Sequence, residues 1–419
     1  MTLPLADVRV LDFTMAWAGP FATRGLAYLG AQVIKIEGPT KWDMWRGAAK
    51  GGYPSRYPNL DPGPRPYNRA VFFNTQNHDK LSLGINLKRP GAREIILRLA
   101  KLCDVAIANF SPRALEGLGL GYRDLCQVRP DIIMVEMPAY GNDGPLAHHL
   151  GIGPNMEGMT GMAALMGYGD GTPTLTGIAY LDPIGGLHAA AAVLTALAYR
   201  RRTGKGQYIE LAQREGALHW IGEFLLDYAE NGRVFQPDGN HRPGYAPHDA
   251  FPCRGEDEWV AIAVSTDEQW QALCRVIQRP DLATDPRFAT LPERWRNQEL
   301  LDESITAWTR ERDKHEIAQL LQSHGVPAAP VQMGKDIAED PHLIERGFFA
   351  MLDHPEAGRH VYSGLGFRLK DTPGAMRTAA PCFGQHNRQI LIDLLGMTEA
   401  EVQALEAAGV IADEIVDAS

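Results

Sequence analysis

The sequence predicts an α/β protein built on a mostly parallel sheet, followed by a smaller, partly helical region. Two observations carry this. Short β-branched runs alternate with helical patterns through the first third of the 419-residue chain, and the pattern changes near Arg233, where helices begin to dominate. In order, Val8–Phe13 reads as a strand and Gly19–Leu29 as a helix opened by Pro20. Gln32–Ile36 is a second strand, Ile85–Leu87 a short extended piece, and Arg89–Lys101 a helix with Ile95, Ile96 and Leu99 at helical spacing. Asp104–Ala108 and Ile132–Met137 are further strands around a short helix at Tyr122–Val128. Residues 38–75, rich in Gly, Pro, Tyr and Arg without a period, read as a surface excursion. A Gly-rich stretch, Gly151 to Gly177, precedes a long Ala-rich helix, about Pro183 to Arg200, then a strand at Gln207–Leu211 and a helix at Glu215–Tyr228. Beyond the Gly239–Tyr245 loop come an extended run, Trp259–Val264, and helices at Asp267–Ile277, Asn297–Arg310 and Lys314–His324. From Pro327 extended segments return, closed by a helix at Thr398–Ala408.

Composition narrows the function classes. Hydrophobic residues at 45% and charged residues at 22% are ordinary globular values. A net charge of −10 argues against a general nucleic-acid binder, which needs a broad basic face to release counterions. Cys103, Cys126, Cys253, Cys274 and Cys382 are scattered, odd in number and without a C-x-x-C pair, so neither a disulfide framework nor a zinc site is expected. A reducing cytoplasm fits this usage. The first residues lack a basic stretch followed by an apolar one, and Gly, Pro or charge interrupts the apolar runs before membrane length. A cytoplasmic protein without membrane contact is the expectation.

Several chemistries are absent: no G-x-S-x-G elbow, no phosphate-binding G-x-x-x-x-G-K-[ST] loop and no H-E-x-x-H helix. Gly117-Leu-Gly-Leu-Gly-Tyr follows a helical turn rather than a strand, so it is no dinucleotide fingerprint. His148-His149 lacks a carboxylate or Cys partner and reads as loop; no metal ligands are assigned. The informative stretch is Thr176-Gly-Ile-Ala-Tyr-Leu-Asp182-Pro183-Ile-Gly-Gly. Asp before Pro at the start of a helix predicts Asp182 as N-cap and Pro183 as the first helical residue, a cap worth about 1 kcal/mol. The same position favours an ionised carboxylate, and small neighbours (Gly177, Gly185, Gly186) leave room for it to attack a bulky acyl carbonyl. Local geometry does not choose between cap and nucleophile.

Taken together, further motifs resemble the class III CoA-transferases (the CaiB/BaiF family), which include formyl-CoA and carnitine CoA-transferases and the α-methylacyl-CoA racemases. They are Val10-Leu-Asp-Phe-Thr with Ala18-Gly-Pro, Leu29-Gly-Ala-Gln-Val-Ile-Lys-Ile-Glu37, Asn77-His-Asp-Lys80 with Leu87-Lys88, Ala108-Asn-Phe-Ser-Pro112, Arg201-Arg-Thr-Gly-Lys-Gly-Gln207 and Arg346-Gly-Phe-Phe349. The resemblance covers nearly the whole chain and implies that Asp182 is the catalytic residue. In that family this carboxylate attacks a donor acyl-CoA, gives an aspartyl anhydride and then an aspartyl-CoA thioester, and passes CoA to an acceptor acid without ATP, and the resemblance implies the same route here. It also implies CoA contacts at Trp17, Ala18, Ile85, Asn86, Leu87, Lys88 and Asn109. Gly38 and Gly117 stand where basic residues are frequent, and Arg113, where glycine is usual, is the candidate replacement. No tightly bound cofactor is implied; CoA is substrate.

The same resemblance implies a Rossmann-like large domain built from both chain ends (1–232 and 331–419), a smaller α+β domain (233–330), and an interlocked homodimer. Two alternatives stay open. A racemase of 2-substituted acyl-CoAs needs a His before the Asp, but Gly151-Ile152-Gly153-Pro154-Asn155 puts Ile152 in its place. A non-catalytic subunit working with a related chain is the other. Trp17, Tyr140, Tyr180 and the Gly239–Tyr245 loop are candidate walls of an acyl pocket.

Overall fold

The computed structural model describes residues 2–169 and 171–416. The chain forms two compact units. One comprises the chain up to Thr160, Thr176–Leu226 and the part from Ile344 onward; the other comprises Gly161–Leu175 and Asp227–Leu343.

The first unit carries a six-stranded sheet: β1 (Arg9–Asp12), β2 (Gln32–Glu37), β3 (Lys80–Gly84), β4 (Val105–Ala108), β5 (Ile133–Glu136) and β6 (Gln207–Glu210). All neighbours pair in parallel, in the order β3-β2-β1-β4-β5-β6, the order of doubly wound nucleotide-binding folds. Successive residues of a strand feed opposite cores, so the central strands are apolar throughout. Leu11, Ile34, Ala106 and Met134 face one core, shared with Ile95, Ile96, Leu99, Ile390 and Val402. Val10, Val33, Ile107 and Val135 face the other, with Leu26, Ala189, Val193 and Leu197. The helices used below are α1 (Ala18–Tyr28), α2 (Ala92–Ala100), α3 (Tyr122–Val128), α4 (Gly153–Thr160) and α5 (Leu181–Thr203).

Several expectations change. The third strand is Lys80–Gly84, not Ile85–Leu87. After Gly84 the chain leaves the sheet and pairs instead with the C-terminal return: the Asn86 amide donates to Val410 O (2.8 Å), the Ala412 amide to Gly84 O (3.0 Å), and Ile85 bridges Ile411. A Cβ on Gly84 would lie 2.1 Å from Ala412 O, so only glycine allows that crossing. Residues 38–75 are not merely a surface excursion, because they bury Asp43, Arg46, Tyr57, Asn68 and Phe73. The Gly-rich stretch after β5 contains α4. Finally, α5 is long and apolar enough to cross a membrane by length and composition alone, contrary to the reading of interrupted runs. Its Leu181, Ile184, Ala189, Val193, Ala196 and Leu197 are buried, as in a core helix of an α/β unit.

The second unit holds a three-stranded antiparallel sheet, His248–Pro252, Trp259–Ala263 and Ala328–Val331. Helices Asp267–Val276, Gln298–Thr309 and Lys314–Ser323 pack a core of Phe251, Ile262, Trp270, Leu273, Phe288, Leu301 and Leu321.

Candidate active site

In open α/β sheets ligands settle beyond the carboxyl ends of the strands where the strand order reverses, here between β1 and β4. Two adjoining cavities open there and share Met15, Lys41, Phe110 and Ser111. The first, about 520 Å³, is lined by Phe13, Ile36, Ile85, Asn86, Leu87 and Lys88 among others. The second, about 630 Å³, is walled by Trp17, Trp45, Asn109, Ile178, Asp182 and Gln213 among others.

The loop between β1 and α1 contributes Met15 to the shared wall, and its Thr14, Met15 and Ala16 are each pinned. Asp12 takes the Thr14 amide (2.9 Å) and hydroxyl (2.6 Å), while Lys35 Nζ donates to Thr14 O (2.7 Å). Asn109 accepts the Met15 amide (2.8 Å) and donates to its carbonyl (2.7 Å). Asp43 accepts the Ala16 amide (3.0 Å) and pairs with Lys35 (3.0 Å). Lys80 Nζ reaches Asp12 (3.1 Å), Thr23 (2.7 Å) and Asn77 (2.9 Å). Charges buried this deeply persist only when fully partnered, as these are. The network holds Ala16 at φ 62°, a left-handed conformation that a side chain resists. A second alanine so held, Ala179 at φ 50°, immediately precedes the start of α5.

Asp182 is not the N-cap. Tyr180 is, so Asp182 is the second residue of α5 and Pro183 the third, where a missing amide still breaks no helical bond. The amide that meets the carboxylate belongs to Ala18, the first residue of α1. Such first-turn amides have no partner in their own helix and favour an anion. Close packing brings the two helices together: a Cβ on Gly186 would lie 2.6 Å from Ala18 O. The sequence reading expected the helix start to favour the ionised carboxylate. Burial outweighs it, and together with the negative charge of Glu157 it lifts Asp182 to about 6 against the opposing Ala18 hydrogen bond.

The chain matches the profile of CoA-transferase family III over residues 5–387. The chain belongs to that family. The transferase is 34% identical to the succinyl-CoA–D-citramalate CoA-transferase of Chloroflexus aurantiacus, across 97% of this chain and 98% of that one. It is 30% identical to the succinyl-CoA:glutarate CoA-transferase of Mus musculus, across 97% and 90%. A crystal structure of a CaiB/BaiF family protein from Brucella suis superposes with a TM-score of 0.85 at 29% identity, covering 94% of this chain and all of that one.

In the transferase, Ile85, Asn86, Leu87 and Lys88 line the first cavity, and Trp17, Asn109 and Asp182 the second. Ala18 is buried with its amide on Asp182. Arg113 is exposed at φ 61° and lines neither cavity; that backbone is one glycine adopts freely. Two wall residues, Gln213 and Lys41, escaped the sequence reading, and a third, His149, was considered and set aside there. His149, read as plain loop, shares the Asp182 cavity. So does Gln213, whose Nε2 donates to Met137 O (2.8 Å) while its buried Oε1 finds no hydrogen-bond partner among the described residues. Lys41 stands in the wall common to both cavities. In the second unit, His241 Nε2 lies 3.0 Å from Asp302 Oδ2 and 3.8 Å from Asp249 Oδ2, a hydrogen-bonded histidine–carboxylate group.

Proposed function

We propose that this transferase moves CoA from an acyl-CoA to a carboxylic acid through acylation of Asp182. One observation carries the reading: a partly buried carboxylate, met by a helix-terminal amide, borders a cavity that adjoins a second with basic and apolar walls. A Asp182 oxygen attacks the donor thioester carbonyl; the C–S bond breaks and CoA leaves as thiolate. The thiolate then attacks the Asp182 carbonyl of the mixed anhydride, releasing the donor acid and leaving an aspartyl-CoA thioester. The acceptor carboxylate attacks that thioester and expels the thiolate, which takes the acceptor acyl group and restores the Asp182 carboxylate.

The first cavity suits CoA: Ile36, Ile85, Leu87 and Phe110 offer apolar surface for a ring, and Lys41 and Lys88 offer charge for phosphates. In this reading Ala18 and Asn109 serve the reacting end and Trp17 the acyl group, while Arg113, exposed and outside both cavity walls, is not assigned a CoA contact. The named relatives act on succinyl-CoA with a dicarboxylic acid, so succinyl-CoA and small dicarboxylates are the first substrates to try. We read the working form as a homodimer, because α5 exposes Leu187 (58%) and the helical segments of residues 219–231 expose Trp220 (61%) and Leu226 (62%) on the same unit.

The test pairs acyl-CoA donors with acids, reading CoA exchange by mass, with hydroxylamine present in a parallel set. Donor yields a hydroxamate at Asp182 in the native protein, and Asp182→Ala yields neither hydroxamate nor exchange. Exchange at the native rate in Asp182→Ala overturns the proposal. His149 in the same cavity keeps a second reading in view, proton exchange at the α-carbon between two titratable groups. Deuterium uptake from heavy water into an acyl-CoA without any acceptor acid decides for it.

A further inference from the structure

A second carboxylate beside the site is left unused by the transfer chemistry. Glu157 lies on α4 and is only 1% exposed. Its Oε1 accepts from the Tyr180 amide (2.9 Å) and the Thr176 hydroxyl (2.5 Å), and its Oε2 from the Thr176 amide (3.1 Å). A carboxylate taken from water is strongly disfavoured unless such bonds replace its hydration. All three bonds go to one short segment, 176–180, which ends on the N-cap of α5 two residues before Asp182. Gly177, Ile178 and Ala179 of that segment wall the Asp182 cavity, and Ala179 is held there at φ 50°, a left-handed conformation that a side chain resists. One turn earlier on α4, a Cβ on Gly153 would lie 2.5 Å from Asp182 Oδ2 and 2.2 Å from the Ala179 Cβ. The helix therefore supplies both the surface on which the nucleophile rests and the clamp on the strand of chain that leads to it.

We propose that Glu157 is a positioning residue for the transfer, its carboxylate clamping residues 176–180 so that Asp182 and the adjacent wall hold the geometry of attack. The proposal rests on Asp182 being the acylated group. The ionisable groups around Asp182 are Glu157 from α4, whose charge acts on it, and Lys41 and His149, which line the same cavity. Of these, Glu157 is the negative one, and its charge works against ionisation of Asp182.

Glu157→Gln removes the charge and one acceptor while keeping the shape. The expected result is a fall in kcat of about 10- to 100-fold, the scale of a misplaced reactant, with donor KM changed less than threefold. The acid limb of the pH–rate profile should move below its native position near pH 6. Glu157→Asp, which keeps the charge, should leave that limb in place. Thr176→Val, which deletes one bond without touching any charge, should lower kcat several-fold with the limb unmoved, and it serves if Glu157→Gln does not fold. Native kcat and an unmoved limb in folded Glu157→Gln, or native kcat in Thr176→Val, overturn the proposal. The hydroxamate assay keeps the two ideas apart. Trapping at Asp182 in the native protein together with an indifferent Glu157→Gln sinks only the clamp, whereas absence of trapping sinks the acylation itself.

Discussion

The environment of Asp182 sets both its reactivity and its cost. With its carboxyl lifted to about 6, chiefly by burial and also by Glu157, the group is ionised at neutral pH yet poorly hydrated, a favourable state for a nucleophile. Activity should accordingly fall as pH drops through about 6. Stability runs the opposite way. The folded carboxyl holds its proton to a higher pH than the unfolded one, so folding binds protons between the two values, and ionisation destabilises the fold as pH rises through about 6. Asp182→Asn should therefore be inactive and more stable at pH 7.5 by up to about 2 kcal/mol, a gain that vanishes near pH 4. Denaturant unfolding at the two pH values checks the sign. At this scale the Asp-Pro pair was legible, because it marks a helix start by residue type alone. Its surroundings were not: Ala18 and Glu157 meet Asp182 only through folding, and Glu157 hid in a stretch read as glycine-rich loop.

Among the elements, the strands with continuous β-branched runs were legible to within a residue or two. Lys80–Gly84 was not, because Lys80 and Ser82 break the apolar pattern. Both are nevertheless buried, Lys80 through its bonds to Asp12, Thr23 and Asn77, and the adjacent apolar Ile85–Leu87 took its place in the reading. The stretch 38–75 was misread for a related reason: its buried polar groups are satisfied by partners outside it, as Arg46 is by Glu37 at the end of β2 (2.8 Å to each oxygen) and by the far-off Pro381 O (3.2 Å). The contact of α1 with α5 gives a prediction. Glycine to alanine within a helix usually gains about 0.5–1 kcal/mol. At Gly186 the new Cβ would lie 2.6 Å from Ala18 O, and overpacking of that kind costs about 1–3 kcal/mol. The clash wins, so Gly186→Ala should lower stability and, by moving the Ala18 amide off Asp182, lower kcat as well. Urea titration and steady-state kinetics on one preparation read both.

Across the molecule, a mostly parallel sheet follows from the alternation of strands and helices along the chain, whereas the strand order and the assembly do not. Leu187, Trp220 and Leu226 would be ordinary helix residues by sequence; only the fold shows them left outside both cores of their unit. Sedimentation equilibrium should give twice the chain mass, and Trp220→Glu with Leu226→Glu should shift the distribution toward single chains. A native protein that sediments as one chain at micromolar concentration removes the homodimer reading. The pairing of Gly84–Asn86 with Val410–Ala412 has a consequence for biosynthesis. The cavity wall at residues 85–88 is synthesised long before its hydrogen-bonding partner at 410–412 leaves the ribosome. A nascent chain can lay down β1 to β6 while still attached, yet the basic and apolar cleft beside them stays unfinished until translation has passed residue 412.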